Sequence, residues 1–387
     1  MKILYHHRVA SKDGQYVHIE EIIKSLKKLG HEILLVAPSA GENQDFGGDG
    51  GIVAKLKAKL PKWLYEIVEF SYSFYAFAKL AKTILKEKPA FIYERYNLFN
   101  PAGVWAKKIF KVKLILEVNA PLFEERSKYD GISLNKLAKW SQKYTWNNAD
   151  KVLPVTHVLA KNIISYGVED AKIEVIANGI NKAEFIDAKH ESPLKVDISN
   201  KVVIGFVGFC REWHGLDKIV DMLTLPENEN LFFLIVGDGP VISDIKEQAK
   251  KLKVEERIHI TGLVNRSEMP KWLVPIDIAL QPAVVDYASP LKMLEYMATG
   301  KAIVAPAQGN IKELLTDSEN ALLFEKDNNE AFIKCIQELA NNKELRTKLA
   351  EHAFQSIHDN SLTWDSNAET ILEISQSLIK NKVIYRC

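Results

Sequence analysis

Residues 289–300, which read SPLKMLEYMATG, combine a helix start with a carboxylate one turn further along. Ser289 suits the N-cap and the proline after it suits the first helical position, so the amides of Leu291 and Lys292 point out of the helix end. These amides and the helix dipole favour an anion. Glu295 lies four residues after Leu291 and therefore on the same face. A phosphate at the helix end and a ribose beside Glu295 would fit; an ordinary capped helix with a Lys292–Glu295 surface pair remains the alternative.

Two further loops place polar groups where a strand gives way to a helix. In residues 11–18 (SKDGQYVH), Gly14 lets the backbone approach a phosphate and the following amide of Gln15 could bind it, unless the segment is only an Asp-Gly turn. In residues 207–215 (VGFCREWHG), Arg211 and His214 could bring positive charge to a diphosphate. A salt bridge from Arg211 to a nearby acid is the structural alternative.

Other junctions offer weaker candidates. Residues 262–266 (GLVNR) place backbone amides, Val264 and Arg266 where a flat base could bind, whereas residues 237–240 (GDGP) form a tight turn that is mainly structural. Glu117 and Asn119 end a strand of the N-terminal half and could reach a sugar, although either could equally be a hydrogen-bonded turn residue.

Composition excludes several classes of protein. The 387 residues carry a formal net charge of +1, so no global charge favours a nucleic-acid partner. Three cysteines lie far apart in sequence, which predicts neither a disulfide framework nor a zinc site and favours a reducing, cytoplasmic setting. The chain has no Gly-x-Gly-x-x-Gly, P-loop, His-Glu-x-x-His, Gly-x-Ser-x-Gly or Asp-x-Asp motif, so no metal is expected. No signal peptide or membrane span is predicted.

Short apolar runs alternate with helical patterns along the chain, which predicts α/β domains with parallel sheets covered on both faces. The predicted strands of the first half lie at 3–5, 33–36, 91–93, 114–116, 152–153 and 173–176. Those of the second half lie at 202–207, 232–236, 258–260, 276–280 and 302–304. We predict two doubly wound, Rossmann-like domains that face each other across a cleft.

The predicted boundaries follow from this alternation. Residues 1–182 form the first domain, the polar segment 183–200 is a linker, and residues 201–361 form the second domain. One more helix is predicted over 362–380. Residues 67–85 are aromatic-rich at helical spacing and are predicted to pack in the core. Residues 55–65 (KLKAKLPKWLY) interleave lysines with apolar residues, which suits either an anionic membrane or a loop that leads into a packed helix.

The order of these motifs resembles that of the retaining family 4 glycosyltransferases, which have the GT-B fold. The resemblance rests on residues 208–215, GDGP at 237–240, GLV at 262–264, SPLKxxEYMA at 289–298 and GNIKE at 309–313. In the first half it rests on LGHE at 29–32 and NGI at 178–180. It covers nearly the whole chain, and the features Trp-His-Gly and Ser-Pro-Leu-Lys indicate a subgroup.

The resemblance implies roles for the candidate residues. Glu295 would bind the donor ribose, and the amides of Leu291 and Lys292 would bind the donor diphosphate. Arg211 and His214 would lie near this diphosphate. The helix start with Ser289 would belong to the same donor site. Gly14 and Gln15 would close over the phosphates from the first domain, Val264 would lie at the base, and the last helix would cross back to the first domain.

Four departures from the family pattern affect the site. The glutamate that usually lies eight residues before the ribose-binding one is Tyr287 here, which leaves Asp286 as the nearest acid. The usual Phe-Gly pair is Ser289-Pro290. A histidine often found after the fourth strand is Asn119. The phosphate-binding Gly-Arg and Lys-Gly pairs become Gly-Phe and His-Gly, so Arg211 is the candidate substitute.

We therefore expect transfer of a sugar from a nucleotide-diphosphate sugar to an acceptor hydroxyl with retention of anomeric configuration, without metal and without a cofactor. Helix-end amides, Arg211 and Lys292 would stabilise the leaving diphosphate. The acceptor would be a saccharide or a lipid-linked saccharide in polysaccharide or glycolipid synthesis, the latter reached at the inner face of the membrane. A nucleotide-sugar epimerase of the same fold and a non-catalytic sugar-nucleotide-binding protein are the alternatives.

Overall fold

The computed structural model describes residues 1–9, 14–38 and 60–384, with side chains described for 1–9, 16–38 and 60–380. These residues divide into two compact units. Unit 1 comprises the described parts of Met1–Asn178, together with Tyr287–Ser289 and the helix that begins at Trp364. Unit 2 comprises Gly179–Asp286 and Pro290–Thr363.

Unit 1 is built on a five-stranded sheet in the order β2-β1-β3-β4-β5, with every neighbouring pair parallel. The strands are β1 (Lys2–His6), β2 (Glu32–Val36), β3 (Phe91–Arg95), β4 (Lys113–Val118) and β5 (Lys151–Pro154). The helices are α1 (Gly14–Lys28), α2 (Lys62–Glu87), α3 (Ala102–Phe110), α4 (Leu122–Tyr129), α5 (Asn135–Asn148) and α6 (His157–Ser165).

Unit 2 has a six-stranded parallel sheet in the order β11-β10-β9-β6-β7-β8. Its strands are β6 (Val202–Val207), β7 (Leu231–Val236), β8 (Ile258–Ile260), β9 (Ile278–Leu280), β10 (Ala302–Pro306) and β11 (Leu322–Phe324). Its helices are α7 (Lys182–Phe185), α8 (Leu216–Met222), α9 (Ile242–Leu252), α10 (Met269–Leu273), α11 (Leu291–Ala298), α12 (Asn329–Asn341) and α13 (Lys343–Asp359). Helix α14 (Trp364–Ile384) returns to unit 1.

The burial of the strands explains the continuous apolar runs in the sequence. All six residues of β7 are buried, and the core of unit 2 combines side chains of β6 and β7 with those of the flanking helices. A strand that is covered on both faces has no solvent side, so it needs no polar alternation. The predicted fold class of parallel α/β domains is confirmed.

Two local predictions are wrong. Residues 173–176 form no strand: Ile173 makes an isolated parallel bridge to Val152, and the amides of Glu174 and Ile176 donate to the carbonyls of Val152 and Pro154 in β5. The helix predicted over 67–85 exists as α2, but it is not wholly core. Its buried stripe includes Ser73, Leu80 and Ile84, whereas 60% of Phe74 is exposed.

The predicted linker starts with the four-residue helix α7, and residues 186–200 contain no further helix or strand.

Helix α14 packs on α1 within unit 1. Lys28 Nζ lies 2.6 Å from Asp365 Oδ2, and the rings of His18 and Trp364 are 4.7 Å apart. Trp364 is buried, so this contact closes one side of the unit.

Candidate active site

The strand order of unit 2 creates a crevice at one position. From β6 the chain proceeds to β7 and β8 on one side of the sheet, and then to β9 and β10 on the other side. When the loops after two neighbouring strands run in opposite directions, a crevice opens between them at the carboxyl ends of the strands. Ligands bind in this crevice in such sheets. The two loops here are residues 208–215 after β6 and residues 281–290 after β9.

Glycines allow the turn after β7 to pack on the loop after β6. A Cβ on Gly237 would lie 2.0 Å from the Gly208 carbonyl oxygen, and a Cβ on Gly239 would lie 2.1 Å from the Cys210 carbonyl oxygen. Cys210 N–H donates to the Asp238 carbonyl at 2.8 Å. Only glycine permits these approaches, so the GDGP turn fixes the course of the loop that carries Arg211.

Arg211 and His214 lie on that loop in different environments. The Arg211 guanidinium lies 4.8 Å from the ring centre of Phe209 and 4.9 Å from that of Trp213, both of which are more than half exposed. His214 is buried in the short 3₁₀ turn Glu212–His214, and its Nδ1 accepts the Arg211 N–H at 3.1 Å. Burial, followed by the charges of Lys292 and Arg211, lowers the His214 pKa to about 4. His214 is therefore a neutral ring at physiological pH and does not supply the predicted positive charge.

Lys292, from the first turn of α11, reaches the same loop. Its Nζ lies 4.4 Å from the ring centre of Phe206 and would be 3.1 Å from a Cβ on Gly208. Burial lowers the Lys292 pKa to about 8, although Cys210 and Glu295 act in the opposite direction. No carboxylate among the described residues forms an ion pair with its ammonium group. This cation is therefore poised for an anion at the end of β6.

Glu295 and Arg266 are brought together. Glu295 is only 3% exposed, and the Arg266 guanidinium donates to its carboxylate. The same guanidinium lies 5.0 Å from the ring centre of Phe185 in α7. Sequence reasoning gave these two residues separate ligands, the ribose and the base, and did not anticipate that they pair.

The start of α11 corrects the predicted cap. The helix begins at Leu291 with Pro290 as its N-cap, and Met293 N–H donates to the Pro290 carbonyl at 3.1 Å. Ser289 does not cap it. The Ser289 hydroxyl accepts the Asn178 N–H at 3.1 Å, and its carbonyl accepts the Asn178 side-chain amide at 2.6 Å, because both residues belong to unit 1. The amides of Leu291 and Lys292 precede the first intrahelical bond, as in any helix.

The segment between β9 and α11 is held by buried amides that sequence reasoning missed. Gln308 and Asn310 are buried, and their side-chain nitrogens donate to the carbonyls of Val284 (3.3 Å) and Val285 (3.0 Å). Asp286, the next residue, is exposed. The only signal for these contacts in the sequence is the GNIKE motif at 309–313, which belongs to the family resemblance but does not show what Asn310 contacts.

Tyr287 takes a structural position in unit 1. Its hydroxyl donates to Glu125 Oε2 at 2.9 Å, and its carbonyl accepts from the Thr156 hydroxyl at 2.9 Å. Val264 is half-buried in the loop after β8, two residues before Arg266. Gly14 and Gln15 are the first residues of α1, and their side chains lie outside the described set.

Unit 1 holds a buried polar network at the carboxyl ends of its strands. Glu117 accepts from Tyr93 (2.8 Å), Arg95 (2.7 Å) and His18 Nε2 (3.1 Å). Burial alone would raise the Glu117 pKa, but His18 and Arg95 outweigh it and hold that pKa at about 2. Glu117 is thus a fully engaged structural carboxylate.

Asn119 joins the same network through its side-chain amide, which lies 3.3 Å from His18 Nδ1. The other ring nitrogen of His18, Nε2, faces Glu117. His6 Nδ1 lies 2.6 Å from Glu94 Oε2 in a second buried pair. His6, His18, Glu94 and Arg95 were not singled out from the sequence, because their spacing along the chain gives no motif.

No group of three or more His, Cys, Asp or Glu side chains in the described part of the chain is placed to hold a metal ion. Over those same residues, every helix is too short or too polar to cross a membrane.

Two family models match consecutive parts of the chain. The model "Glycosyltransferase Family 4" matches residues 12–184, and the model "Glycosyl transferases group 1" matches residues 188–356. An uncharacterized glycosyltransferase of Methanocaldococcus jannaschii, MJ1069, is 24% identical over 285 residues, which are 71% of each chain. The GPI3 subunit of the Saccharomyces cerevisiae phosphatidylinositol N-acetylglucosaminyltransferase is 21% identical over 313 residues, which are 78% of this chain and 66% of that protein.

Among solved structures, Anabaena Alr3699/HepE in complex with UDP superposes with a TM-score of 0.72 at 18% identity. The match covers 97% of this chain and 100% of that one, and at this identity it shows the fold alone. The two models match adjacent stretches of the chain that correspond to most of unit 1 and most of unit 2. The chain therefore carries a glycosyltransferase family 4 domain followed by a glycosyltransferase group 1 domain, and it is a glycosyltransferase of the GT-B type.

Proposed function

We propose that the protein transfers a sugar from a nucleotide-diphosphate sugar to an acceptor hydroxyl with retention of anomeric configuration. The observation that carries the proposal is the grouping of Lys292, Arg211 and Glu295 around the crevice between β6 and β9. A diphosphate needs cations and amide donors, and a ribose needs a hydrogen-bond acceptor. Crystals of Anabaena Alr3699/HepE contain UDP or UDP-glucose, which makes UDP the first donor nucleotide to test.

In this mechanism the residues of unit 2 act on the leaving group. The ammonium of Lys292, the guanidinium of Arg211 and the amides of Leu291 and Lys292 stabilise the charge that develops on the departing diphosphate. Neutral His214 can donate a hydrogen bond from Nε2, because its Nδ1 already accepts the Arg211 amide. These protein cations let the proposed reaction proceed without a metal ion or cofactor. The acceptor hydroxyl attacks from the side of the leaving group, and a diphosphate oxygen takes its proton.

Glu295 is proposed to accept hydrogen bonds from the ribose hydroxyls. Its carboxylate is buried and has the Arg266 guanidinium on one oxygen, Oε1, which leaves the other oxygen for a ligand hydroxyl. A hydrogen bond to a charged group contributes about 1.5–3 kcal/mol, which is roughly a 10- to 150-fold effect on affinity.

Binding of UDP and its deoxy analogues tests this role by calorimetry. The wild-type protein should bind 2′-deoxy- or 3′-deoxy-UDP at least tenfold more weakly than UDP, and Glu295→Gln should lose that discrimination. Glu338→Gln, an exposed glutamate in α12, is the matched control. Arg266→Gln removes the partner of Glu295 but not the proposed ribose contact, so this variant should still bind UDP more tightly than the deoxy analogues. Equal discrimination in wild type and Glu295→Gln would remove Glu295 from the donor site.

Turnover tests the reaction itself. Incubation with UDP-sugars and a panel of saccharide and lipid-linked saccharide acceptors should give an α-configured product from an α-linked donor, and Glu295→Ala should lower the rate at least a hundredfold. An inverted product contradicts retention, an epimerised donor without acceptor supports an epimerase, and tight UDP binding without any turnover supports a binding protein.

The setting is also part of the proposal. Cys210 and Cys335 are free thiols, which suits a cytoplasmic reaction in polysaccharide or glycolipid synthesis. The sequence interpretation of residues 55–65 as a peripheral membrane contact at the inner face concerns mainly residues outside the described set, since only 60–65 are described.

A further inference from the structure

Three helices of unit 1 expose large apolar side chains on one surface. Phe74 of α2 is 60% exposed, Ile109 of α3 is 62% exposed and Trp140 of α5 is 45% exposed. With the half-buried Phe70 and Trp105, these residues are called the aromatic surface.

Ring contacts show that the aromatic surface is continuous. Phe70 lies 6.2 Å from Trp140 and 6.4 Å from Trp105, and Phe74 lies 5.3 Å from Trp105, measured between ring centres. One row of rings therefore spans α2, α3 and α5. A contiguous apolar patch of this kind on a soluble unit marks an interaction site more often than an isolated exposed side chain does.

The main core of unit 1 contains none of the residues of the aromatic surface. Helix α2 fills the core with its other stripe, which includes Ala76, Leu80 and Ile84. Phe70 also packs against a small buried cluster of Leu98, Phe99 and Ala138, but Phe74, Ile109 and Trp140 belong to no buried cluster and are exposed. The cost of exposing them points to a partner.

The charges around the aromatic surface are positive. Helix α5 carries three exposed lysines and no acidic residue: Lys136, Lys139 and Lys143. Lys108 of α3 lies over the Tyr144 ring at 4.7 Å, and Tyr144 stacks on Trp140 at 5.1 Å. These four lysines are called the lysine rim.

Nearby carboxylates do not neutralise the lysine rim. Glu66 of α2 is buried and accepts the amides of Ser133 and Leu134 at 2.9 and 2.6 Å. Glu69 pairs with Arg126 at 3.0 Å. No carboxylate in the described part of the chain forms an ion pair with a lysine of the rim.

We propose that the aromatic surface and the lysine rim dock unit 1 on an anionic lipid bilayer. Aromatic rings are favoured at the depth of the lipid headgroups, and lysines are attracted to anionic lipids. A second copy of the chain fits less well, because a two-fold interface through this patch would bring the lysine rims of both copies together. The proposal does not depend on the transfer reaction.

The test measures binding of the full chain to vesicles by flotation and by tryptophan emission. Phosphatidylglycerol vesicles should bind the wild-type protein at least tenfold more tightly than phosphatidylcholine vesicles, with a blue shift of emission. The triple change Lys136→Glu, Lys139→Glu and Lys143→Glu should weaken binding to phosphatidylglycerol about a hundredfold or more, since each lysine at an anionic surface contributes about a factor of five. Phe74→Ser with Ile109→Ser should weaken it at least tenfold.

Exposed lysines on unit 2 provide the matched control. Lys246→Glu, Lys250→Glu and Lys251→Glu in α9 make the same charge change and should leave vesicle binding within about threefold of wild type. Thermal unfolding identifies any variant that fails to fold, and since the changed side chains are exposed, the melting temperatures should be unchanged.

Several results would overturn the proposal. They are absence of wild-type binding, equal binding to both vesicles, or an equal loss in the α9 control. Loss only on changing Lys55, Lys57 and Lys59 to glutamate would place the contact at residues 55–65 instead. Full binding by the Phe74 and Ile109 variant would indicate adsorption by charge alone. A concentration-dependent dimer in sedimentation that this variant abolishes, without vesicle binding, would indicate a second copy as the partner.

Discussion

Lys292 gives the proposed donor site a predicted dependence on pH. Burial holds its pKa at about 8, so the ammonium form is about nine-tenths populated at pH 7 and about one-tenth at pH 9. A diphosphate beside Nζ favours the charged form and raises this pKa in the complex. Affinity should therefore be constant below pH 8 and decline above it.

The expected magnitude follows from these populations. If UDP binds only the charged form, the dissociation constant should rise about tenfold between pH 7 and pH 9. The terminal phosphate of UDP titrates near pH 6, so titration calorimetry is performed above pH 7. His214, with a pKa of about 4, and Cys210, with a pKa of about 11, keep one protonation state throughout this range.

Three variants isolate the effect. Lys292→Arg keeps its charge, so its affinity should be independent of pH, whereas Lys292→Met should bind UDP at least tenfold more weakly with no slope. The pKa of Lys301 is also about 8 because of burial, and its Nζ donates to the Val274 carbonyl. Lys301→Met should therefore retain the wild-type slope. A slope that persists in Lys292→Met, or that disappears in Lys301→Met, would refute the assignment.

Two further predictions concern stability. Because the Glu117 pKa is about 2 instead of 4.5, this carboxylate contributes about 3 kcal/mol to the free energy of unfolding. The contribution is fully present above pH 4.5 and is lost as the pH falls towards 2. In urea titrations at pH 7, Glu117→Gln should lower the free energy of unfolding by about that amount, and an unchanged midpoint, or an equal loss in Glu338→Gln, would contradict the network. Gly237→Ala should lower the free energy of unfolding by more than 2 kcal/mol in the same assay, since φ is +149° and the new Cβ would lie 2.0 Å from the Gly208 carbonyl oxygen. Gly262→Ala, at φ +71° with open space around the new Cβ, should lower it by about 1 kcal/mol. Equal losses in the two variants would show that the contact with Gly208 is unimportant.

The central strands were predictable because they are short apolar runs that are buried along nearly their whole length, whereas the edge strands β2 and β8 are partly exposed. Residues 202–207 and 232–236 have no polar alternation, which only a sheet covered on both faces permits. Residues 173–176 (IEVI) include the exposed Glu174 and make two backbone hydrogen bonds to β5 without forming a strand. Composition carries no information about the extent of such pairing. The stripe on α2 failed for a related reason, since helical spacing shows which residues share a face but not which face is covered.

The grouping of the candidate residues was predictable where they are close in sequence and not where they are distant in sequence. Glu295 and Lys292 lie on one short helix, so their spacing alone placed them together. The pairing of Arg266 with Glu295 and the hold of Asn178 on Ser289 join residues that are distant in sequence. His214 was assigned a charge because residue type is visible in a sequence, whereas the burial that lowers its pKa is not.

The return of helix α14 to unit 1 has a consequence for synthesis of the protein on the ribosome. Roughly 185 residues separate Asn178 from Trp364, so at typical elongation rates about 10–40 seconds pass before α14 is made. During that interval the surface of α1 that later packs on Trp364 is uncovered, and by the end of it all strands and helices of unit 2 have been made. We expect unit 2 to complete its native packing first and the nascent unit 1 to be the part that chaperones protect.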